Sequence, residues 1–397
     1  MGEEIRKERI GIELESREFT ATKSIDRHIQ PAQINPMLLD PKHDAKITET
    51  LENGVKVYCK GKPINECSKP ERLEALLYTL RDPEFFGLKY VFEEMSKAKT
   101  VQNVFLSKEG DCDDMSRFYT VLAQRLGIND LEQLYVSFKE KNGKSEYNHA
   151  ALLAHEGRVY YIDPAASKFI ALPEEINSIP AALKSKKLYS ILLGIREDLT
   201  KRKGSYFIEE IQSISGTANA DFMYFFECGI DNTWKKNWSA AIEDFSKAFD
   251  RWLDTRALHS QMAQANFYVD NFEKAAEFYE RAIKKKPTHS DYTDLGHAYF
   301  EMKNYGRAVS AFRGAYKLEQ ANYETLYELA VSLNAVALSN YSKGNNVQSL
   351  LELNEVDFLL KQFFKFAQKD AEQLNNANQL LESVGNLKQR LKNTQND

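Results

Sequence analysis

Lys108-Glu109-Gly110-Asp111-Cys112-Asp113-Asp114 is the stretch on which the reading of this chain turns. Cys112 follows a glycine and an aspartate, at what reads as the start of a helix. Downstream come His149, in a strand-like context, and Asp163-Pro164, at the end of another such stretch. Nucleophile, base and orienter in that order are the inventory for acyl transfer through a thiolate. The positive end of a helix dipole stabilises an anionic sulfur. Asp111, Asp113 and Asp114 oppose it by like charge, unless they turn to the N–H groups of the first turn or to solvent.

Working outward, Ser68-Lys69-Pro70-Glu71 reads as a capped helix start followed by Leu73, Leu76, Leu77 and Leu80. Asp82-Pro83 is expected to open a second helix through Phe85, Phe86, Leu88, Tyr90, Val91 and Phe92. The helix from Cys112 carries Phe118, Val121, Leu122 and Leu126 and ends at Gly127. The period then changes. Leu134 to Phe138, His149 to Leu153 and Val159 to Ile162 read as strands, with turns at Lys141-Asn142-Gly143-Lys144 and His155-Glu156-Gly157-Arg158. Leu188 to Ile195 and Tyr206 to Ile214 are expected to be helices, and Ser215 to Asn219 a linker. Residues 41–215 are thus an α+β domain behind an extension at 1–40, which is interrupted by Pro31 and Pro36 and ends before Pro41.

A repeat follows. Ala241, Phe245 and Ala248 recur as Ala275, Tyr279 and Ala282, and then as Ala308, Phe312 and Ala315. Phe225, Cys228 and Gly229 precede the first triplet, and Tyr292, Leu295, Gly296 and Tyr299 the third. This resembles the tetratricopeptide pattern, in which small residues let two helices approach and an aromatic fills the gap. Residues 219–345 are read as this all-α solenoid. A fourth unit opens at Leu326, Leu329, Ala330 and Leu333 and loses its second half at Ser342 to Asn346. Long helices at 346–397 are read as a terminal cap rather than a coiled-coil dimer, since two heptads are too few. Oligomeric state is left open.

The chain has 397 residues, 43% hydrophobic and 28% charged, with a formal net charge of -5. That suffices for two or three cores and gives no reason to expect nucleic acid. Basic runs at Lys184–Lys187, Lys201–Lys203 and Lys284–Lys286 read as solvated faces. The four cysteines, Cys59, Cys67, Cys112 and Cys228, form neither a disulfide framework nor a metal-ligand spacing. No signal-peptide core and no membrane-length apolar run is present, so a reducing cytoplasm is expected, with no cofactor and no metal.

Gly110-Asp111-Cys112-Asp113-Asp114, then His149 on a strand, then Tyr160-Tyr161-Ile162-Asp163-Pro164 resemble the transglutaminase-like superfamily over roughly Leu73 to Ala166. The resemblance implies a papain-like fold with Cys112 as nucleophile, His149 as base and Asp163 as orienter. The Asp-rich cysteine motif is similar to the protease-like branch, implying hydrolysis of an amide or peptide through a thioester; an amine acceptor implies transglutamination. Ala151 stands where many members carry tryptophan. The backbone N–H of Cys112 is one oxyanion donor and Gln102 a candidate second. The competing reading is an interaction scaffold: the repeats hold a protein or peptide on their concave face, and the α+β head is catalytically silent.

Overall fold

The computed structural model describes residues 41–91, 99–141, 146–200, 206–215, 221–251, 253–367 and 371–393. The extension at 1–40, Phe92, the Asn142-Gly143 turn and residues 216–219 of the expected linker lie outside them. Two compact units emerge: residues up to Cys228 together with Lys247–Leu253, and the remainder.

The first unit opens with α1 (Pro41–Tyr58), whose Ile47, Leu51 and Val55 repeat every fourth residue and are buried. Next comes α2 (Lys69–Arg81), closed at its start by the Ser68–Glu71 capping box that the sequence signals. The helix expected from Asp82 does not form. Residues 83–86 turn, Gly87 takes a φ of 59°, and the chain extends into β1 (Lys89–Tyr90). Phe86 and Leu88 are buried from that turn, so the apolar run reports burial and not helical period.

After α3 (Val101–Ser107), the short β2 (Glu109–Gly110) pairs in parallel with β1 and delivers the chain to α4 (Cys112–Arg125). Then follow β3 (Glu132–Glu140), β4 (Glu146–Glu156), β5 (Arg158–Asp163), β6 (Lys168–Ala171), α5 (Ile179–Leu183), α6 (Lys186–Thr200) and β7 (Tyr206–Ser215). The five strands form an antiparallel sheet in the order β6-β5-β4-β3-β7. One face of β4, through Leu152 and Ala154, joins the core of α1–α4. The other, through Ala151 and Leu153, joins a core with α5 and α6. The head is therefore α+β, with both faces of its sheet covered.

Tyr206 to Ile214 is a strand, contrary to the helix expected there. Its register against β3 breaks between Ser137 and Phe138. That bulge puts Ile208 and Ile211, three residues apart, into the same core, and a spacing of three mimics a helix.

The remaining helices are α7 (Phe222–Trp234), α8 (Trp238–Asp250), α9 (Arg256–Phe267), α10 (Phe272–Lys285), α11 (His289–Glu301), α12 (Tyr305–Leu318), α13 (Tyr323–Ser342), α14 (Asn346–Phe366) and α15 (Ala371–Asn393). Phe245, Tyr279 and Phe312 are buried as the repeat requires. A Cβ on Gly296 would come 2.6 Å from the Phe312 ring, so only glycine permits that helix spacing. The fourth unit is not lost after Ser342. Helices α13 and α14 pair: Ser349 Oγ donates to Ala337 O, and Asn340 Nδ2 to Glu352. These two helices are 20 and 21 residues long against 12 to 14 in the preceding units, and the second lacks the Ala–aromatic triplet, which hid it. Among the described residues no helix is long and apolar enough to cross a membrane.

Candidate functional site

Gly110 must be small: a Cβ there would lie 2.9 Å from Asp114 Cβ. With no side chain in the way, Asp111 caps α4, accepting from Asp114 N, while the Asp114 carboxylate accepts in turn from Asp111 N. This reciprocal cap places Cys112 in the first turn, half-buried. Ser116 Oγ, one turn on, donates to Ala150 O and ties the helix to β4 next to His149.

Register brings base and acid together. Leu152 pairs with Ile162 across β4 and β5, so continuing one step sets Asp163 across from Ala151. His149 lies two residues from Ala151 and hence on the same face, a diagonal neighbour of Asp163. His149 Nε2 donates to Asp163 Oδ2 at 2.7 Å, and both residues are buried, 2% and 0% exposed. The Cys112 side chain lies near enough to His149 to act on the protonation of its imidazole. The structure thus gathers Cys112, His149 and Asp163 in one neighbourhood, with the His149–Asp163 hydrogen bond formed.

Asp163 is held by two further donors. Tyr161 Oη donates to Oδ2 at 2.8 Å and Ala166 N to Oδ1 at 2.8 Å. Burial works against the Asp163 charge, but His149 and these donors prevail and keep its pKa below the ordinary carboxylate value. Burial likewise works against a charged His149. The Asp163 charge, with the hydrogen bond to Asp163 and the influence of Cys112, overrides it and raises the imidazole to about 10. His149 is therefore an imidazolium at neutral pH.

The sign of the pH dependence follows. A histidine raised from 6.5 to about 10 contributes stability that is complete below pH 6.5 and is lost as the pH climbs toward 10. Asp163, held below 3.8, sets the acid limit, its contribution falling away as pH drops beneath that value. The thermal stability of the wild type, relative to His149→Asn, is expected to shrink steadily between pH 6.5 and about 10. A difference flat across that range would mean that His149 is neutral.

The acids around Cys112 do not face solvent. Asp111, Asp113 and Asp114 are 8%, 4% and 1% exposed. Arg117 Nη2 donates to Asp114 Oδ1 at 2.6 Å and to Lys99 O at 2.8 Å, and its guanidinium lies over the Tyr224 ring. Burial pushes Asp114 up to about 6, Asp111 adding to it and Arg117 opposing. Asp111, Cys112 and Asp113 bring their ligand-type atoms within 4.8 Å of one another. With the Arg117 guanidinium already supplying positive charge there, we read the group as an acid cluster and not a cation site. Gln102 sits in the first turn of α3, half-buried.

Sequence reasoning missed Tyr161, Arg117 and Glu227. Strand alternation puts Tyr161 on the face of Asp163, and helical spacing puts Arg117 three and four residues beyond the acids, so both signals were present. Glu227, more than a hundred residues from Cys112, gives no local signal.

No curated protein matches the chain. Among solved structures, MamA is 15% identical with a TM-score of 0.31, covering 48% of this chain and 98% of its own. YrrB, described as a TPR protein with an unusual peptide-binding site, is 14% identical with a TM-score of 0.32, covering 51% and 90%. A TPR-repeat protein of Bacteroides fragilis is 14% identical with a TM-score of 0.31, covering 44% and 99%. The tetratricopeptide repeat family model matches residues 292–322, and the C-terminal part of the chain is built of tetratricopeptide-like helical hairpins.

Proposed function

We propose that this chain is a protein-interaction scaffold. Its repeats hold an extended protein or peptide segment, and residues 41–215 form a head. The observation that carries this reading is the recurring hairpin contact, Gly229 against Phe245 and Gly296 against Phe312, the second of them within residues 292–322, which match the tetratricopeptide repeat model. Such hairpins stack into a solenoid whose curvature makes an extended binding surface. The test is a peptide-library screen with the full chain. A selected peptide should protect amides of α9, α11 and α13 from hydrogen exchange. Protection confined to residues 41–215, or no selectable peptide, would defeat the reading.

A second reading is favoured by the nearness of Cys112 to His149 and the hydrogen bond of His149 to Asp163. In it the head is transglutaminase-like. Cys112 Sγ attacks an amide carbonyl, the imidazolium of His149 gives its proton to the departing amine, and a thioester remains on Cys112. Water then releases an acid and restores the thiol, as in a peptidase or amidase; an amine instead gives a transglutaminase. A silent head keeps the geometry without the turnover.

A further inference from the structure

The first helices of the last three hairpins, α9, α11 and α13, stand side by side. Arg256 and Ser260 of α9 both donate to the Asp291 carboxylate of α11, and His289 of α11 meets Thr325 Oγ1 of α13 at 2.7 Å. Gln261, Asp294 and Glu328 are each the sixth residue of their helix, so they form one row across the three. All three are half-buried. The buried Oε1 of Gln261 accepts no hydrogen bond among the described residues. Ser290 Oγ donates to Asp294 at 3.5 Å, but neither Asp294 nor Glu328 has a lysine or arginine partner among the described residues. The three helices carry five carboxylates and one cation, Arg256, which is ion-paired with Asp291. The second helices α10, α12 and α14 carry six carboxylates and nine cations. The two sets of helices are therefore opposite in sign, and the negative set holds acceptors that lack donors.

We propose that the face formed by α9, α11 and α13 takes a basic peptide, an extended segment whose lysine or arginine side chains reach Asp294 and Glu328. This partner class rests on the peptide-binding reading of the repeats. A half-buried carboxylate with no cation beside it has lost part of its hydration without compensation, and a cation on a bound peptide restores the balance. The two carboxyls show that loss: burial raises both above their ordinary values, with His297 opposing. Val331, one turn beyond Glu328 and half-buried, offers apolar surface for the stem of a lysine or arginine. Gln261 supplies an acceptor for an N–H of the same segment. Glu324 and Glu301 stand exposed on the same helices, so an acidic peptide meets like charge there.

The test screens a random peptide library against the full-length chain. Selected peptides should be enriched in lysine and arginine over aspartate and glutamate. Replacing the basic residues of the most enriched peptide with glutamine should weaken its binding at least about tenfold, since more than one partly screened charge pair is lost. Asp294→Asn and Glu328→Gln should each weaken the basic peptide about fivefold and leave its glutamine version unchanged. Glu277→Gln, an exposed site on α10, should leave both peptides unchanged. If either row variant fails to fold by circular dichroism, the exposed Glu324→Gln takes its place, with a loss of about twofold. Selection of acidic or purely apolar peptides that still protect α9, α11 and α13 from exchange would overturn the basic partner and leave the scaffold reading standing. Equal losses in Glu277→Gln and Glu328→Gln would mean attraction to net charge and not to this row, and would overturn it too. A screen that yields no peptide would defeat both.

Discussion

Alkylation of Cys112 by iodoacetamide at pH 6.5 is expected to fall at least about tenfold in His149→Ala, and less in Asp163→Asn. Tenfold corresponds to about 1.4 kcal/mol. A unit charge about 4 Å away is worth about 4 kcal/mol at an effective dielectric near 20, and about 1 kcal/mol in water. His149 is 2% exposed and near enough to Cys112 for the two groups to act on each other, so the less screened figure applies more closely. Alanine removes the positive charge. In Asp163→Asn the imidazole keeps its packing against Phe138, with ring centroids 6.5 Å apart, and the neighbouring Tyr161 remains. It loses the carboxylate that sets its orientation and raises its affinity for the proton. An alkylation rate indifferent to His149 would mean that no ion pair exists. The scaffold reading would then stand alone, with a silent head.

How far the sequence reaches depends on where each signal sits. The cap of α4, the order of Cys112, His149 and Asp163, and the meander from β3 to β5 were legible, because each is written in a short run of residues. Strand β7 was not. Its bulge opposite Ser137 and Phe138 turns an alternating strand into a three-residue spacing, and only the partner strand reveals that. The turn at residues 83–86 failed for a related reason: Phe86 and Leu88 are buried by the surrounding helices, and their apolar character carries no period. At the site, the acids beside Cys112 were read as caps or solvent-facing groups. Two of them do cap, but none faces solvent, because Arg117 and Glu227 close over them. Arg117 was within reach of helical spacing, whereas Glu227 arrives from a helix that only the tertiary fold brings near. The Ala–aromatic triplets gave three hairpins; the fourth, α13 with α14, follows the same architecture with other contacts.

The second large effect belongs to the repeats. Phe312→Ala is expected to cost roughly 3–5 kcal/mol, the range for truncating a large buried aromatic. Phe312 is fully buried, meets the His297 ring edge to face at 5.3 Å, and lies over Gly296, which has no side chain to fall into the space. The neighbouring helix therefore cannot relax inward cheaply, and the cost should lie toward the top of that range. In a solenoid each hairpin is stabilised chiefly by its neighbours, so the damage should stay with α11, α12 and the hairpins beside them. Denaturant unfolding followed by hydrogen exchange should show those helices opening first. Peptide capture should be lost with them, while the alkylation rate of Cys112 at pH 6.5 should stay within about twofold of the wild type, because its partners His149 and Asp163 are on β4 and β5. Loss of peptide capture with thiol reactivity intact is the pattern that separates a binding solenoid from its head. A fall in Cys112 reactivity of the size caused by His149→Ala would instead mean that the repeats help to form the site, and that residues 41–215 do not act as an independent head.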